Sequence, residues 1–418
     1  MNLVLSAIGF LATLMFILWR PRGMNEAVAA GIGAVFALAS RLVSLHDVAQ
    51  ILHDTANVLL FLIGMMVITG FAEHAGVFDA LAVTAVRTAR GSGHLLLINV
   101  FLLGALITAF LSLDVTIIVL TPIVYVVVDR LAIDPLPYLF ACAFVANTAS
   151  LFLPVSNLTN ILMYDLLGLS FTRFALLMFL PNVAALLVNV GVFLVIFRSR
   201  IPRRFNAAAL TNVDHGRDFR LASVTLVVTL IALFIFGFLS LPLAIPALMG
   251  AVIVVAVGLI RRTVSLRASA GYVSWSLFPF VIAMFIVIRS VERAWLPHVS
   301  RVPTGKDFLT LSAVTFATAV GANVVNNIPM VVAMIALLRS VTNPIPEHIA
   351  FATLIGTNIG PSVLTIGSLA TMLWLAIVRK RGVTVSSMSY LRVGIITTPP
   401  MLAAATFALW VMVRLVGK

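Results

Sequence analysis

Long apolar runs joined by short polar segments dominate this chain. They fall at about residues 2–19, 25–43, 55–72, 94–128, 136–168 and 175–197, and again at about 221–240, 243–260, 274–289, 305–340, 345–378 and 389–415. A helix needs about 20 apolar residues to span a bilayer, so the pattern predicts an all-α polytopic membrane protein. One long hydrophilic stretch, Arg198 to Arg220, separates a first half, 1–197, from a second, 221–418. The opening run to Trp19 has no basic segment before it and no small-residue cleavage site after it, and reads as a first span rather than a signal peptide.

Two runs in each half are interrupted by polar residues where a plain spanning helix would be continuous. In the first half, 94–128 breaks at Ser112-Leu113-Asp114, and 136–168 breaks from Asn147 through Ser150 to Pro154–Asn160. In the second, 305–340 breaks at Asn326-Asn327 before Pro329, and 345–378 from Gly356 through Pro361 to Ile366–Thr371. Asn147 and Asn358, Asn157 and Ser368, and Asn160 and Thr371 are each 211 positions apart, and Asp114 and Asn327 are 213 apart. A near-constant offset is the mark of an internal repeat. If 94–128 and 305–340 are re-entrant hairpins and 136–168 and 345–378 broken helices, each half has five full spans, and the odd number inverts the second half.

Charge orients this arrangement. The chain carries 27 Lys and Arg against 14 Asp and Glu, a formal charge of +13. The cations cluster beside apolar runs, which speaks for topology rather than nucleic acid. With the linker 198–220 cytoplasmic, most of them face inside, among them Arg20, Arg22, Arg261, Arg262, Arg267 and Arg379-Lys380-Arg381, and both termini face out. Hydrophobic residues make up 62% and charged ones 10%, too apolar for a soluble domain of this length to cover. The single cysteine, Cys142, has no intrachain partner and reads as a small packing residue.

Unwound backbone in a bilayer is costly unless it faces protein or a water-filled cavity, so duplicated breaks point to a transport site. Asp114 is the carboxylate this arrangement puts near mid-membrane, which makes it the candidate for proton coupling; the alternative is an N-cap on the second hairpin helix. Asn147, Ser156, Asn157, Thr159, Asn160, Asn326, Asn327, Asn358, Ser368 and Thr371 supply neutral donors and acceptors, for substrate or as polar glue between helices. Glu73, His74 and Asp79, before the amphipathic stretch 77–90, read as interfacial. No metal-spaced His/Cys cluster, phosphate-binding loop or catalytic Ser motif is present, so neither an enzyme nor a cofactor is expected, and energy must come from an ion gradient or a separate subunit.

The stretches LTPIV (Leu120–Val124), TASLFLPVSNLTNI (Thr148–Ile161), NNIP (Asn326–Pro329) and IGTNIGPSVLTIGSLATMLW (Ile355–Trp374) resemble those of the ArsB-type arsenite efflux transporters of the ion transporter superfamily. The resemblance implies an inner-membrane exporter of arsenite and antimonite driven by the proton gradient, which in some organisms docks a soluble arsenite-stimulated ATPase, here at the cytoplasmic linker. It also implies inverted repeats with one hairpin facing each side. Where the family commonly has Ala-Asn-Asp, this chain has Ser112-Leu113-Asp114; where it often has Asp, and Cys-Asp, this chain has Asn147, and Thr357-Asn358. Asp114 is thus left as the main acid, and recognition through hydroxyls is favoured over As–S bonding. A silicic acid carrier, a sodium-coupled anion or dicarboxylate carrier, and the membrane subunit of an ATP-driven pump are the alternative readings.

Overall fold

The computed structural model describes residues 2–19, 24–206, 217–295, 303–341, 346–365 and 367–416. Arg20 and Arg22, linker residues 207–216 and Ile366 of the last break lie outside the described residues. Every element among those described is helical.

The first half begins with α1 (Asn2–Trp19), α2 (Glu26–Ala39), α3 (Leu45–His74), a short α4 (Val77–Thr88) and α5 (Gly93–Phe110). A turn at Leu111-Ser112 leads into one irregular helix: α6 (Leu113–Val115), a π-helical turn (Thr116–Leu120) and α7 (Thr121–Arg130). α8 (Leu136–Ala149) and α9 (Leu158–Leu166) flank the next break, and α10 (Phe171–Ile196) ends the half. The second half comprises α11 (Phe219–Phe238), α12 (Ala244–Ile260), α13 (Leu266–Gly271), α14 (Leu277–Trp295), α15 (Phe308–Val325), α16 (Asn327–Val341), α17 (Glu347–Ile359), α18 (Leu369–Lys380) and α19 (Ser387–Val416).

Local chemistry explains where helices depart from the apolar runs. The third run starts at about 55, yet α3 starts at Leu45, because Ser44 and Asp47 form a reciprocal cap: the Ser44 N–H donates to Asp47 Oδ2 at 2.7 Å and the Asp47 N–H to Ser44 Oγ at 3.2 Å. The π-helical turn precedes Pro122, whose ring cannot fit over the carbonyl four residues back; the widened turn absorbs it. α3, α5, α10, α11, α15 and α19 are long and apolar enough to cross a membrane by length and composition. Shorter apolar helices of 10–17 residues include α2, α8 and α12.

Contacts between helix ends show how the interrupted runs travel. The Tyr138 hydroxyl, at the start of α8, donates to Gly93 O at the start of α5 at 3.1 Å, while Ser156 Oγ, in the break after α8, donates to Ala109 O at the end of α5 at 2.9 Å. The chain therefore descends α5, turns at Ser112, returns through α7 and descends again along α8. In the second half, His348 Nε2 at the start of α17 lies 2.9 Å from Thr304 O just before α15, and Asn323 near the end of α15 reaches Gly360 O at 2.7 Å. Helices exchange partners in the same sense: α3 packs along α12 and α14 along α2, α5 along α8 and α15 along α17, and α10 lies on α19.

Large apolar side chains stay exposed on α1, α10, α11, α12 and α19, including Leu11, Leu187, Val228, Val252 and Phe407. Such a belt is stable against hydrocarbon and not against water.

Candidate functional site

Four helices begin at one cavity of about 550 Å³. Its wall takes Ser112, Leu113 and Asp114 from the first turn, Asn157 and Leu158 from the start of α9, Asn327 and Ile328 from the start of α16, and Ser368 and Ala370 from the start of α18. At each start a side chain accepts from a backbone N–H of its own first turn. Ser112 Oγ accepts from Val115 N (3.3 Å), Asn157 Oδ1 from Thr159 N (3.3 Å), Asn327 Oδ1 from Ile328 N (3.0 Å) and Ser368 Oγ from Thr371 N (3.1 Å). The cap of the second hairpin helix is thus Ser112, which corrects the alternative reading of Asp114 as N-cap: Asp114 sits one position inside the helix and lines the cavity. Helix starts present partial positive charge and N–H groups, so the wall suits oxygen-bearing solutes.

The wall also carries three carboxylates, Glu26, Glu73 and Asp114, and no Lys, Arg or His among its described residues. Glu73, expected at an interface, is exposed and lines the cavity with Glu26 and Tyr272, at the linker end of the molecule, where Arg261 after α12 pairs with Asp218. At the opposite end the helices carry polar links. Arg293 Nη2 lies 2.5 Å from Asp47 Oδ1, Arg289 pairs with Glu292 at 3.2 Å, Asn57 Nδ2 donates to Asp165 Oδ1 at 2.9 Å, and Arg339 donates to Leu166 O.

The residues expected to bind substrate divide into two groups. Asn157, Asn327 and Ser368 line the cavity beside Asp114. Asn147, Ser156, Thr159, Asn160, Asn326, Asn358 and Thr371 are buried and do not line it. Asn358 ties the halves together: its Oδ1 accepts from Asn157 Nδ2 (2.9 Å) and Thr159 Oγ1 (2.7 Å), and its Nδ2 donates to Asn160 Oδ1 (2.6 Å). Asn160 Nδ2 in turn donates to Ser150 O at 2.6 Å and Leu153 O at 3.0 Å, carbonyls that the break leaves without helical partners. Asn147 Nδ2 donates to Ser362 Oγ at 3.1 Å, a second link between halves, and Thr371 Oγ1 lies 2.9 Å from Ser368 Oγ. Asn326, with φ of 75°, makes the second turn in a region costly for a side-chain-bearing residue.

Three amides that sequence reasoning passed over complete the arrangement. Asn182 of α10, in the orientation that satisfies its neighbours, donates to Ala149 O (3.1 Å) and Thr148 O (3.2 Å), the exposed carbonyl end of α8. Asn189, two turns on, donates to Thr148 Oγ1 at 2.8 Å. Asn323 bridges the second break, donating to Gly360 O and accepting from Leu364 N at 3.1 Å. Their signal was available: amides seven positions apart inside an apolar run, and an amide one turn before Asn326-Asn327. Cys142 is fully buried in α8. The described residues contain no group of His, Cys, Asp or Glu that could hold a metal ion.

The family model described as "Arsenical pump membrane protein" matches residues 5–413. An arsenical pump membrane protein of Escherichia coli is 30% identical, covering 97% of this chain and 98% of that one. One of Yersinia enterocolitica is also 30% identical over 96% of each chain, and a putative arsenical pump membrane protein of Bacillus subtilis is 27% identical over 94% of this chain and 96% of that one. Among solved structures, the YdaH transporter of Alcanivorax borkumensis, described as having an unusual topology, superposes with a TM-score of 0.57 at 15% identity, covering 88% of this chain and 87% of the other.

Proposed function

Because the chain belongs to the arsenical pump membrane protein family, we propose that it is a secondary transporter that exports arsenite, and antimonite, from the cytoplasm in exchange for protons. The observation that carries this reading is the cavity wall: four helix starts, the side chains of Ser112, Asn157, Asn327 and Ser368, and three acids with no described cation. Undissociated trihydroxy-arsenic(III) is neutral and needs hydrogen-bond donors and acceptors rather than a counter-cation. A dicarboxylate would meet the acids Glu73 and Asp114 on a wall with no Lys or Arg among its described lining residues, which disfavours the anion-carrier alternative.

In this reading Asp114 takes the proton, and Asn157, Asn327 and Ser368 hold the substrate. The other predicted polar residues, Asn147, Ser156, Thr159, Asn160, Asn326, Asn358 and Thr371, hold the breaks in register. The halves 1–197 and 221–418 form inverted repeats around the linker 198–220, which faces the cytoplasm across the inner membrane. The return of each hairpin toward its starting end supports that arrangement. The cavity then opens inward, and outward release requires separation of Asn57 on α3 from Asp165 at the end of α9.

Arsenite accumulation into everted, protein-containing vesicles tests the proposal. Uptake driven by an imposed proton gradient is abolished by an uncoupler, is indifferent to sodium, and is lost in Asp114→Asn with the protein still folded. Undiminished proton-coupled uptake in that variant refutes the assignment of Asp114, and sodium-dependent uptake refutes the coupling ion. The exposed Arg198, Arg203 and Arg204 leave a basic surface suited to a soluble ATPase. If that partner drove transport, neutralising Arg198, Arg200, Arg203 and Arg204 would abolish export, whereas gradient-driven export survives the change.

A further inference from the structure

A second concavity, of about 960 Å³, lies outside the transport cavity, between α4, α5 and α11. Its wall along α11 runs from Phe219 to Phe234, apolar but for Ser223 near the start, a length of ~22 Å at ~1.5 Å per residue. One leaflet of a bilayer, headgroups included, is ~20–22 Å deep. The groove begins at the linker end of the molecule and stops at Leu111, the residue before the first hairpin's capping Ser112. It is therefore a slot one leaflet deep in a lateral face.

Its charge is confined to one end. Arg87 is the charged residue among those lining it. Arg90 follows one turn later, and Arg217 and Arg220 flank Phe219; all are exposed. The acid between the latter two, Asp218, is buried and paired with Arg261 at 3.1 Å, so it does not offset them. Arg203 and Arg204 are held at the same end, because the Phe205 N–H donates to Gly91 O at 2.8 Å in the turn before α5.

We infer that this groove is a binding site for an anionic phospholipid of the linker-side leaflet, with an acyl chain between α4, α5 and α11 and the phosphate at Arg87 and its neighbouring arginines. An apolar slot of leaflet depth with cations only at headgroup level matches that chemistry and does not match a water-soluble ligand. The occupant would lie between the first hairpin and α11, separate from the substrate path, so this inference is independent of the transport reading.

Brominated lipids test it in nanodiscs of phosphatidylcholine. Leu230→Trp places an indole in the groove, and Val228→Trp, exposed on the opposite face of the same helix, reports bulk lipid. A minor fraction of brominated phosphatidylglycerol should quench the groove indole well beyond the surface one, whereas brominated phosphatidylcholine should not. Arg87→Gln should lower that selectivity about five-fold, the equivalent of ~1 kcal/mol per basic residue at a headgroup. Equal quenching at both positions, or equal quenching by both lipids, overturns the site. Native mass spectrometry of the unmodified chain gives a readout that needs no new tryptophan. Retention of an anionic phospholipid that Arg87→Gln releases supports the inference, and no difference between the two proteins refutes it.

Discussion

Asn358→Ala should destabilise the fold out of proportion to the few atoms it removes. The side chain is 1% exposed and joins α17 to three residues of the other half, Asn157, Thr159 and Asn160, at 2.9, 2.7 and 2.6 Å. In the variant, Thr159 Oγ1, Asn160 Oδ1 and Asn157 Nδ2 each lose a partner inside the protein. Interhelical hydrogen bonds in membrane proteins average ~0.6 kcal/mol and reach ~1.7, so three of them bracket the loss at ~2 to ~5 kcal/mol. The assay is SDS titration of the purified protein in mixed micelles, followed by tryptophan fluorescence; Trp374, fully buried with its indole N–H on Leu139 O at 2.9 Å, reports on this region. Asn160→Ala and the double variant complete a cycle. Because the two side chains share a bond, the double variant should lose less than the sum of the single losses. Strict additivity, within the ~0.3–0.5 kcal/mol expected of independent sites, would refute the claim that these residues act as a unit.

Further outcomes follow from other parts of the structure. With Cys142 replaced by Ala, a cysteine at Ser112 should react with a membrane-impermeant maleimide in everted vesicles and not in right-side-out ones; the reverse pattern overturns the inward-open reading. Asn326→Gly should keep the second turn, because glycine adopts a φ of 75° without strain, whereas Asn326→Val should cost ~1–3 kcal/mol in the same titration. Gly356→Val should lower expression and stability: a Cβ there would lie 2.1 Å from Thr318 Oγ1 and 2.3 Å from Thr315 O, so α15 and α17 would have to part, while Gly31, with nothing within 4 Å, should tolerate alanine. Asp307, at the aqueous start of α15, is held below the usual carboxylate range by the Thr310 hydroxyl (2.7 Å) and the Thr310 N–H (2.9 Å). Since a depressed pKa stabilises the folded form above the unfolded value and loses that contribution as pH falls through the folded one, acidification should lower the protection of the Thr310 amide relative to its intrinsic exchange rate at the same pH, and Asp307→Ala should remove the dependence.

The sequence by itself determined the class, the breaks and most of the helix starts, because each depends on neighbours in the chain. Apolar runs of membrane length dictate helices, Ser112, Asn157 and Ser368 cap the helices they precede, and Asn327 accepts from the next residue of its own helix, all through bonds spanning no more than three residues. The early start of α3 was also written locally, in Ser44 and Asp47, though hidden by the polar residues around them. The division of the polar residues was not legible, because it depends on partners far apart in the chain. Asn358 and Asn157 look alike along the sequence, yet one sits in the seam between the halves and the other also opens onto the cavity. Glu73 shows the same limit: as the end of an apolar run it reads as interfacial, and only the packing of α3 beside Tyr272 puts it on the wall that also holds Asp114. A cap is decided within a turn of helix, but what a buried amide does is decided by the helix it meets about 200 residues away, and that meeting is a property of the packed bundle.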